Sequence, residues 1–520
     1  MGAKMARAIE FGRKMTHPGN LIRTFQYRNE LTKNLRGAHI NMRNKRLIIT
    51  DGRLFRQNDL PLLAANVADF GPKSASERVR SLASWVITEA AQQMGAKLAS
   101  PQEVYVAIAE GRITRKMSFP AVNVRGNSLD TARALFRAAK DNNVGALIIE
   151  VARSEMGYTA QMPREFAAVI QAAAMLENFG GPIFLQGDHI QLKAKAVRAG
   201  GETADKELAT HKSLIEQAMR YGFGSIDLDM SPFERRTETD LSFAQQQAEN
   251  ARLTAEKIRD VRALEGKLGI PWTTLLGGET GEVGKMNTRP EDLQAYAEGI
   301  LANMDELGID HSLGIRKIAI NDGTAHGGTP LPDGSVADVS IAFDVLRMAT
   351  KEGRQYGWAG SVQHGASTLP DSAYRLFVEN NAVEVHLATG FQNLQYEGQG
   401  GFFSVAGLQG RVEGYLRENF AGEMKDGQTN AQFHYKTRKK AFGPFKLEFW
   451  TLPRDVRAAV AAELHAKFSF LFEQLGVNDT TELVAEHTTD HDFHMPYPLA
   501  NTRTTVQMPG KKDSGDGLAD

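Results

Sequence analysis

The stretch FLQGDHIQ, residues 184–191, is an apolar run that stops on a glycine, an acid and an imidazole. In a buried strand that turns into a helix, Asp188 would cap the helix and His189 would lie on the surface. In a metal site, His189 would be a ligand and the neighbouring carboxylate would do chemistry. Because short motifs often match by chance, the rest of the chain has to decide between these interpretations.

Runs of this kind recur along the middle of the chain. Each is short, apolar and followed by a longer segment of helical periodicity. The eight runs are FPAVNV (119–124), ALIIEVA (146–152), PIFLQG (182–187), SIDLDM (225–230), WTTLLG (272–277), IRKIAIN (315–321), WAGSVQ (358–363) and AVEVHLA (382–388). Continuous apolar strands covered by helices indicate parallel pairing, and eight repeats are the number that closes a barrel. We therefore predict an α/β protein with a (β/α)8 TIM barrel. An open doubly wound sheet is the competitor, but its Gly-x-Gly-x-x-Gly turn is missing after the first strand.

The barrel accounts for only part of the 520 residues. We expect N-terminal and C-terminal extensions around it, because a chain of this length exceeds one ordinary core. The predicted division is a mixed α/β N-terminal extension at 1–115, the barrel at 116–400, a C-terminal helical extension at 401–508 and a disordered polar tail at 509–520.

Composition limits the chemistry. The chain contains no cysteine, which excludes disulfides, thiolate-bound zinc and a thiol nucleophile. The net charge of −1 gives no electrostatic case for nucleic acid or an anionic membrane as a partner. No apolar stretch reaches the roughly 18 residues of a membrane span, and the N-terminus lacks the apolar core of a secretory signal. We expect a cytoplasmic protein.

Polar residues follow the predicted strands at the end where such barrels carry their chemistry. His189, His326 and His364 follow strands three, six and seven, so one rim would gather three imidazoles. Three histidines with an open position form a catalytic zinc site, and a bound dication can act as a Lewis acid on a carbonyl. Asp229 could instead be a helix cap, and Glu279 could be either a second metal ligand or a loop charge.

The same rim carries glycine-rich loops suited to phosphate. HGG (326–328) and HGAS (364–367) offer backbone N–H groups for an anion nest, and Ser367 adds a hydroxyl. A phosphate site near strands seven and eight is common in barrels, which agrees with Gly365 and Thr389.

In this order, the motifs resemble those of the class II, metal-dependent fructose-bisphosphate and tagatose-bisphosphate aldolases. The likeness covers roughly residues 115–475 and leaves both ends of the chain outside it. The matching pieces are GDH (187–189), LDMS (228–231), GGETGEVG (277–284), TAHGG (324–328), QHGAS (363–367) and VHLATG (385–390).

The resemblance implies a lyase of carbohydrate metabolism, as in glycolysis. It would cleave or form a carbon–carbon bond of a phosphorylated ketose, such as fructose 1,6-bisphosphate, through a metal-stabilised enediolate. Zn²⁺ or another divalent metal is implied, as is a homo-oligomer. The implied catalytic residues are Asp188, as acid/base, and Glu282, as the base that removes the α-proton. The implied metal ligands are His189, His326, His364 and Glu279. The implied substrate contacts are Asn123, Asp229, Gly327, Gly365, Ser367, His386 and Thr389.

Strand eight departs from the family pattern Lys-x-Asn-x-Asp-Thr-Asp. It reads Glu384-Val385-His386-Leu387-Ala388-Thr389-Gly390. A donor other than dihydroxyacetone phosphate is therefore an alternative, and so is a non-catalytic aldolase-like subunit. Two further rivals are a Schiff-base aldolase, which needs a lysine at a strand end, and a scaffold or RNA-associated protein that uses the basic run YKTRKKAFGPFK (435–446).

Overall fold

Eight parallel strands close into a barrel in the computed structural model of the chain, which describes residues 28–281, 286–323, 331–332 and 341–498. Among these residues the strands are β1 (Ala38–Asn41), β2 (Arg46–Ile49), β3 (Leu98–Ala99), β4 (Phe119–Asn123), β5 (Ile148–Ala152), β6 (Ile183–Asp188), β7 (Ser225–Leu228), β8 (Leu275–Thr280), β9 (Lys317–Ile320), β10 (Ser361–Gln363) and β11 (Ala382–Leu387).

The barrel order runs β6-β5-β4-β11-β10-β9-β8-β7, and β7 pairs back onto β6 to close the ring. All of these pairs are parallel. The predicted (β/α)8 TIM barrel is confirmed. Each of the eight predicted runs overlaps one barrel strand, and β6 and β8 extend one and three residues beyond their predicted ends. Every residue of β4, β5 and β6 is buried, because helices cover the outside and side chains fill the inside.

Two strand features lie outside the barrel. The two-residue strand β3 extends the sheet beside β6, and it is too short to show any periodicity. The strands β1 and β2 form a separate antiparallel hairpin near the N-terminus. Both lie within the expected N-terminal extension.

Helices alternate with the barrel strands and also build the regions on either side. Their ranges are Arg28–Asn34, Gly52–Leu54, Leu60–Val67, Glu77–Met94, Gln102–Ala109, Ser128–Asp141, Arg153–Tyr158, Pro163–Leu176, Ala194–Arg198, Gly201–Arg220, Phe243–Leu268, Pro290–Glu306, Phe343–Arg354, Tyr374–Glu379, Thr389–Glu397, Leu408–Phe420, Asn430–Thr437, Lys446–Trp450, Arg454–Gln474 and Thr481–Glu486.

Both flanking regions pack on the barrel's outer helices. Glu77–Met94 lies against Pro163–Leu176, and Arg454–Gln474 lies against Ser128–Asp141. The expected tail at 509–520 lies outside the described residues. Within the described ranges, no helix combines the length and apolar character needed to cross a bilayer.

Candidate metal and acid–base site

The end of β6 delivers an acid and an imidazole to the rim through a strained turn. Asp188 is the last residue of the strand, and His189 follows with a backbone φ of 42°. This left-handed conformation costs a non-glycine residue on the order of 1 kcal/mol. The Ile190 amide donates a hydrogen bond to the Asp227 carbonyl on the neighbouring strand (2.9 Å), which helps to hold the turn. Strain held in this way is typical of functional positions.

His189 lies among carboxylates and a second imidazole. Its Nδ1 is 3.2 Å from Asp229 Oδ2 and 3.2 Å from Glu279 Oε2. Its ring centroid is 4.2 Å from that of His364. These side chains come from the ends of β6, β7, β8 and β10, and all four are buried. The structure therefore brings four of the sequence-predicted site residues together at the carboxyl end of the barrel.

Three groups of the described side chains have the donor types and spacing of a metal site; one is Glu150, Asp188, Asp227 and His386, and the other two share His189. In one of these two, Asp188, His189 and His364 offer ligand atoms that lie within 4.8 Å of one another. In the other, His189, Asp229 and Glu279 do the same. Imidazole nitrogens with carboxylate oxygens suit Zn²⁺ and similar dications. Asp229 can also act by accepting a hydrogen bond from His189 Nδ1, which would orient the ring.

The charges at this site are strongly coupled. Burial alone would lower the pKa of His189, but the carboxylates of Asp188 and Glu279 outweigh it and raise that pKa well above its usual value. Burial and repulsion by Asp229 raise the pKa of Glu279 to about 8. An additional positive charge would stabilise the ionised form of Glu279. The donor set therefore fits a divalent cation.

Asp188 is fully buried beside this group. Its Oδ2 accepts a hydrogen bond of 3.4 Å from Asn123 Nδ2, and its Oδ1 lies 3.3 Å from His386 Nδ1. Burial would raise the pKa of Asp188, but the two neighbouring histidines, His189 and His386, hold it well below its usual value. Asp188 is therefore held as a carboxylate by groups on three other strands or turns.

The phosphate side of the rim is only partly described. Gly365 has a φ of 72°, in the left-handed region that glycine adopts freely. Ser367 Oγ accepts a hydrogen bond of 3.2 Å from the Gly390 amide, next to Thr389, where the helix Thr389–Glu397 begins. The helix N-terminus adds a favourable field for an anion. The predicted residues Glu282, His326 and Gly327 lie outside the described residues.

His386 was expected to contact substrate, but it lies inside the barrel with 0% of its surface exposed. Its neighbours there are polar residues that the sequence analysis did not assign to the site: Glu150, Gln186, Lys317 and Glu384, all buried. The signal for two of them was a single charged or amide residue inside an otherwise apolar strand, Glu150 in ALIIEVA and Gln186 in PIFLQG.

The family model described as fructose-bisphosphate aldolase class-II matches residues 107–440. A search of curated protein sequences gives no match.

Three solved structures resemble the chain at low identity. A Coccidioides immitis protein described as a fructose-1,6-bisphosphate aldolase is 16% identical, with a TM-score of 0.41, over 73% of this chain and 97% of its own. The Campylobacter jejuni fructose-bisphosphate aldolase is 17% identical, with a TM-score of 0.43, over 74% and 96%. A Sinorhizobium meliloti protein described as a tagatose 6-phosphate kinase is 19% identical, with a TM-score of 0.47, over 67% and 86%. The family match spans more than half of the chain, and the chain therefore belongs to the class II fructose-bisphosphate aldolase family.

Proposed function

We propose that this protein is a divalent-metal-dependent aldolase that cleaves or forms a carbon–carbon bond of a phosphorylated ketose. The observation that carries the proposal is the convergence of His189, His364 and Glu279 beside the buried carboxylate of Asp188. These side chains leave three different strands at the rim where barrels of this type carry their chemistry.

We assign the metal to His189 and His364, with Glu279 as a further ligand and His326 as a ligand outside the described residues. When bound, the metal would act as a Lewis acid on a substrate carbonyl. Zn²⁺ fits the imidazole and carboxylate donors, and other dications remain candidates for the assay.

Asp188 is the proposed acid/base. Its depressed pKa keeps it ionised, so it can accept the proton of the substrate hydroxyl next to the breaking bond. In the reverse direction it returns that proton to the aldehyde oxygen. Asn123 donates to its Oδ2 and helps to orient the carboxylate. We assign removal of the α-proton to Glu282.

The phosphate groups of the ketose would bind at the loops after β10 and β11. Gly365, Ser367 and Thr389 lie there, at the start of a helix whose N-terminal N–H groups attract anions. Gly327, which follows β9 in the sequence and lies outside the described residues, is the fourth proposed contact.

The experiment measures metal content and activity of the full-length protein. Elemental analysis should find about one dication per chain, and His364→Ala should lose most of it because one imidazole ligand is gone. His465→Ala is the matched control, since His465 Nε2 forms an exposed hydrogen bond with Asp141 Oδ2 (2.9 Å) on the outside of the barrel. Cleavage of fructose and tagatose 1,6-bisphosphates is then followed by release of triose phosphate.

The outcomes separate the alternatives. A wild-type protein without bound metal contradicts the proposal. Bound metal without cleavage of either bisphosphate points to another donor or to a non-catalytic subunit.

The structure gives the other rivals little support. Lys317 lies inside the barrel at the start of β9, away from the rim, and its ion pairs outweigh burial and raise its pKa. A Schiff-base lysine has to be neutral to attack a carbonyl. In the basic run, Lys446 is buried and its Nζ donates to the Ala160 carbonyl (2.9 Å), so that cation is not available to RNA.

A further inference from the structure

The barrel interior below the rim contains charged side chains where apolar ones are usual. Lys317 on β9 is 1% exposed, and Glu384 on β11 and Glu150 on β5 are fully buried. TIM-barrel interiors are normally filled by branched apolar side chains, and a buried charge is costly unless it is paired. These residues therefore need a role that apolar packing would not provide.

Lys317, Glu384 and His386 form a row of contacts that ends at Asp188. Lys317 Nζ is 2.6 Å from Glu384 Oε1, and Glu384 Oε1 is 2.7 Å from His386 Nε2. His386 Nδ1 is in turn 3.3 Å from Asp188 Oδ1. We call Lys317, Glu384 and His386 the interior chain. It spans the barrel from β9 through β11 to the end of β6. Its first two links are hydrogen bonds, and His386 Nδ1 approaches Asp188 Oδ1 at ion-pair distance.

The interior chain fixes the orientation of one imidazole. Glu384 accepts from His386 Nε2, so the opposite nitrogen, Nδ1, points away from Glu384 and lies 3.3 Å from Asp188 Oδ1 and 3.2 Å from Glu150 Oε1. Tyr105 also donates to Glu384, and Gln186 Nε2 does so at 2.8 Å, which leaves that carboxylate little freedom to rotate. The His364 ring lies with its centroid 4.1 Å from that of His386 and limits tilting. A hydrogen bond at one ring nitrogen is the usual way to set the direction of the other.

Glu384 on strand eight and Lys317 on the sixth barrel strand form one linked set with His386. Without Lys317, Glu384 would lose its ammonium partner, and without Glu384, His386 would lose its Nε2 acceptor.

We infer that His386 is a positioning residue for Asp188 and does not itself contact substrate. Glu384 and Lys317 hold its imidazole, and its Nδ1 holds Asp188 Oδ1 in place. The catalytic consequence rests on the proposed function of Asp188, whereas the structural consequence does not.

The test compares His386→Phe with Ser225→Ala in the full-length, metal-loaded protein. Phenylalanine keeps a ring against His364 and removes both nitrogens. Ser225 donates to Gln186 Oε1 (2.7 Å) in the same buried layer, so its alanine variant weakens the layer without removing a contact to Asp188.

A misplaced catalytic group can cost on the order of 100-fold in rate. We therefore expect kcat of His386→Phe to fall by about that factor while KM stays within about threefold. Metal content should be unchanged. If His386→Phe destabilises the protein too far, Glu384→Gln is the second variant, and we expect the same split between kcat and KM.

Three results would overturn the inference. One is a rise in KM at unchanged kcat, which indicates substrate contact, and another is loss of metal from His386→Phe. The third is an equal loss of kcat in Ser225→Ala.

If the wild type cleaves no ketose bisphosphate, the proposed function fails and crystal structures decide the inference. A displaced Asp188 carboxylate in His386→Phe supports it, and an unmoved one refutes it.

Discussion

Replacing Lys317 by methionine should strongly destabilise the fold. The ammonium group is buried and lies 2.6 Å from Glu384 Oε1, 2.9 Å from Asp227 Oδ1 and 2.6 Å from Gln186 Oε1. Methionine is similar in length but leaves two carboxylates in the barrel interior without this cation. Breaking a buried pair by removing one partner costs about 3–5 kcal/mol. We expect a loss of that size in the free energy of unfolding at pH 8.

The direction in which the stability of Lys317→Met changes with pH shows whether the unpaired carboxylates cause the destabilisation. The ion pairs raise the pKa of Lys317 in the folded state, so its contribution is fully present at pH 8 and is lost only in strong alkali. Lys317 lowers the folded-state pKa of Glu384, which should therefore rise in Lys317→Met, and the pKa of Asp227, which burial already raises in the wild type, should rise further. The variant then gains stability relative to wild type as the pH falls, by about 1.4 kcal/mol per pH unit for each carboxyl that becomes protonated.

Equilibrium urea unfolding of the variant and wild type at pH 8 and pH 5 measures both effects. Lys267→Met is the control, because Lys267 is 62% exposed in its pair with Glu216, and such pairs contribute about 0–1 kcal/mol. The reasoning is refuted if Lys317→Met is as stable as the control variant at pH 8. A destabilisation that is equal at both pH values would also refute it.

Two further predictions concern the acid/base and a buried histidine outside the site. Asp188→Asn should keep its metal but lose about 10²–10⁴-fold in kcat, the usual contribution of an acid/base group, and bound metal with unchanged turnover would contradict its role. His211 is buried, its Nε2 donates to the Ile190 carbonyl (3.0 Å), and burial lowers its pKa to about 3. Below pH 6.5 the unfolded chain binds a proton that the folded chain does not, so wild type should lose about 2 kcal/mol between pH 7 and pH 5. His211→Gln should not show this loss of stability at low pH. If the free energy of unfolding depends on pH equally in the two proteins, His211 is not its cause.

The strand pattern was predictable because each barrel strand is buried on both faces. Continuous apolar runs such as those of β4 and β6 follow from that burial alone. The ends of helices could also be predicted from local sequence, because glycine often follows the last helical residue. Gly95 and Gly269 adopt left-handed φ values of 79° and 64° directly after long helices. The strand β3 was not predictable, since its two residues carry no period.

The candidate site was predictable only as a set of residues that reach one rim. His189, His364 and Glu279 follow predicted strands and Asp229 lies at the end of one, and a parallel barrel brings all such ends to the same face. Short stretches of sequence could not show which of these side chains lie in contact with one another. The distance of 3.2 Å between His189 and Glu279 depends on the left-handed turn at His189 and on how far each strand rises.

The amino-acid sequence by itself determined the eight-strand barrel and the polar residues that can serve its rim, because burial and periodicity act over a few residues. The tertiary structure decided that His386 faces inward and that Lys317 supplies its distant counter-charge. Lys317 and Glu384 lie 67 residues apart in the chain. Their ion pair exists because the closed barrel brings the two strands within reach and excludes water between them, so the unpaired alternative is costly.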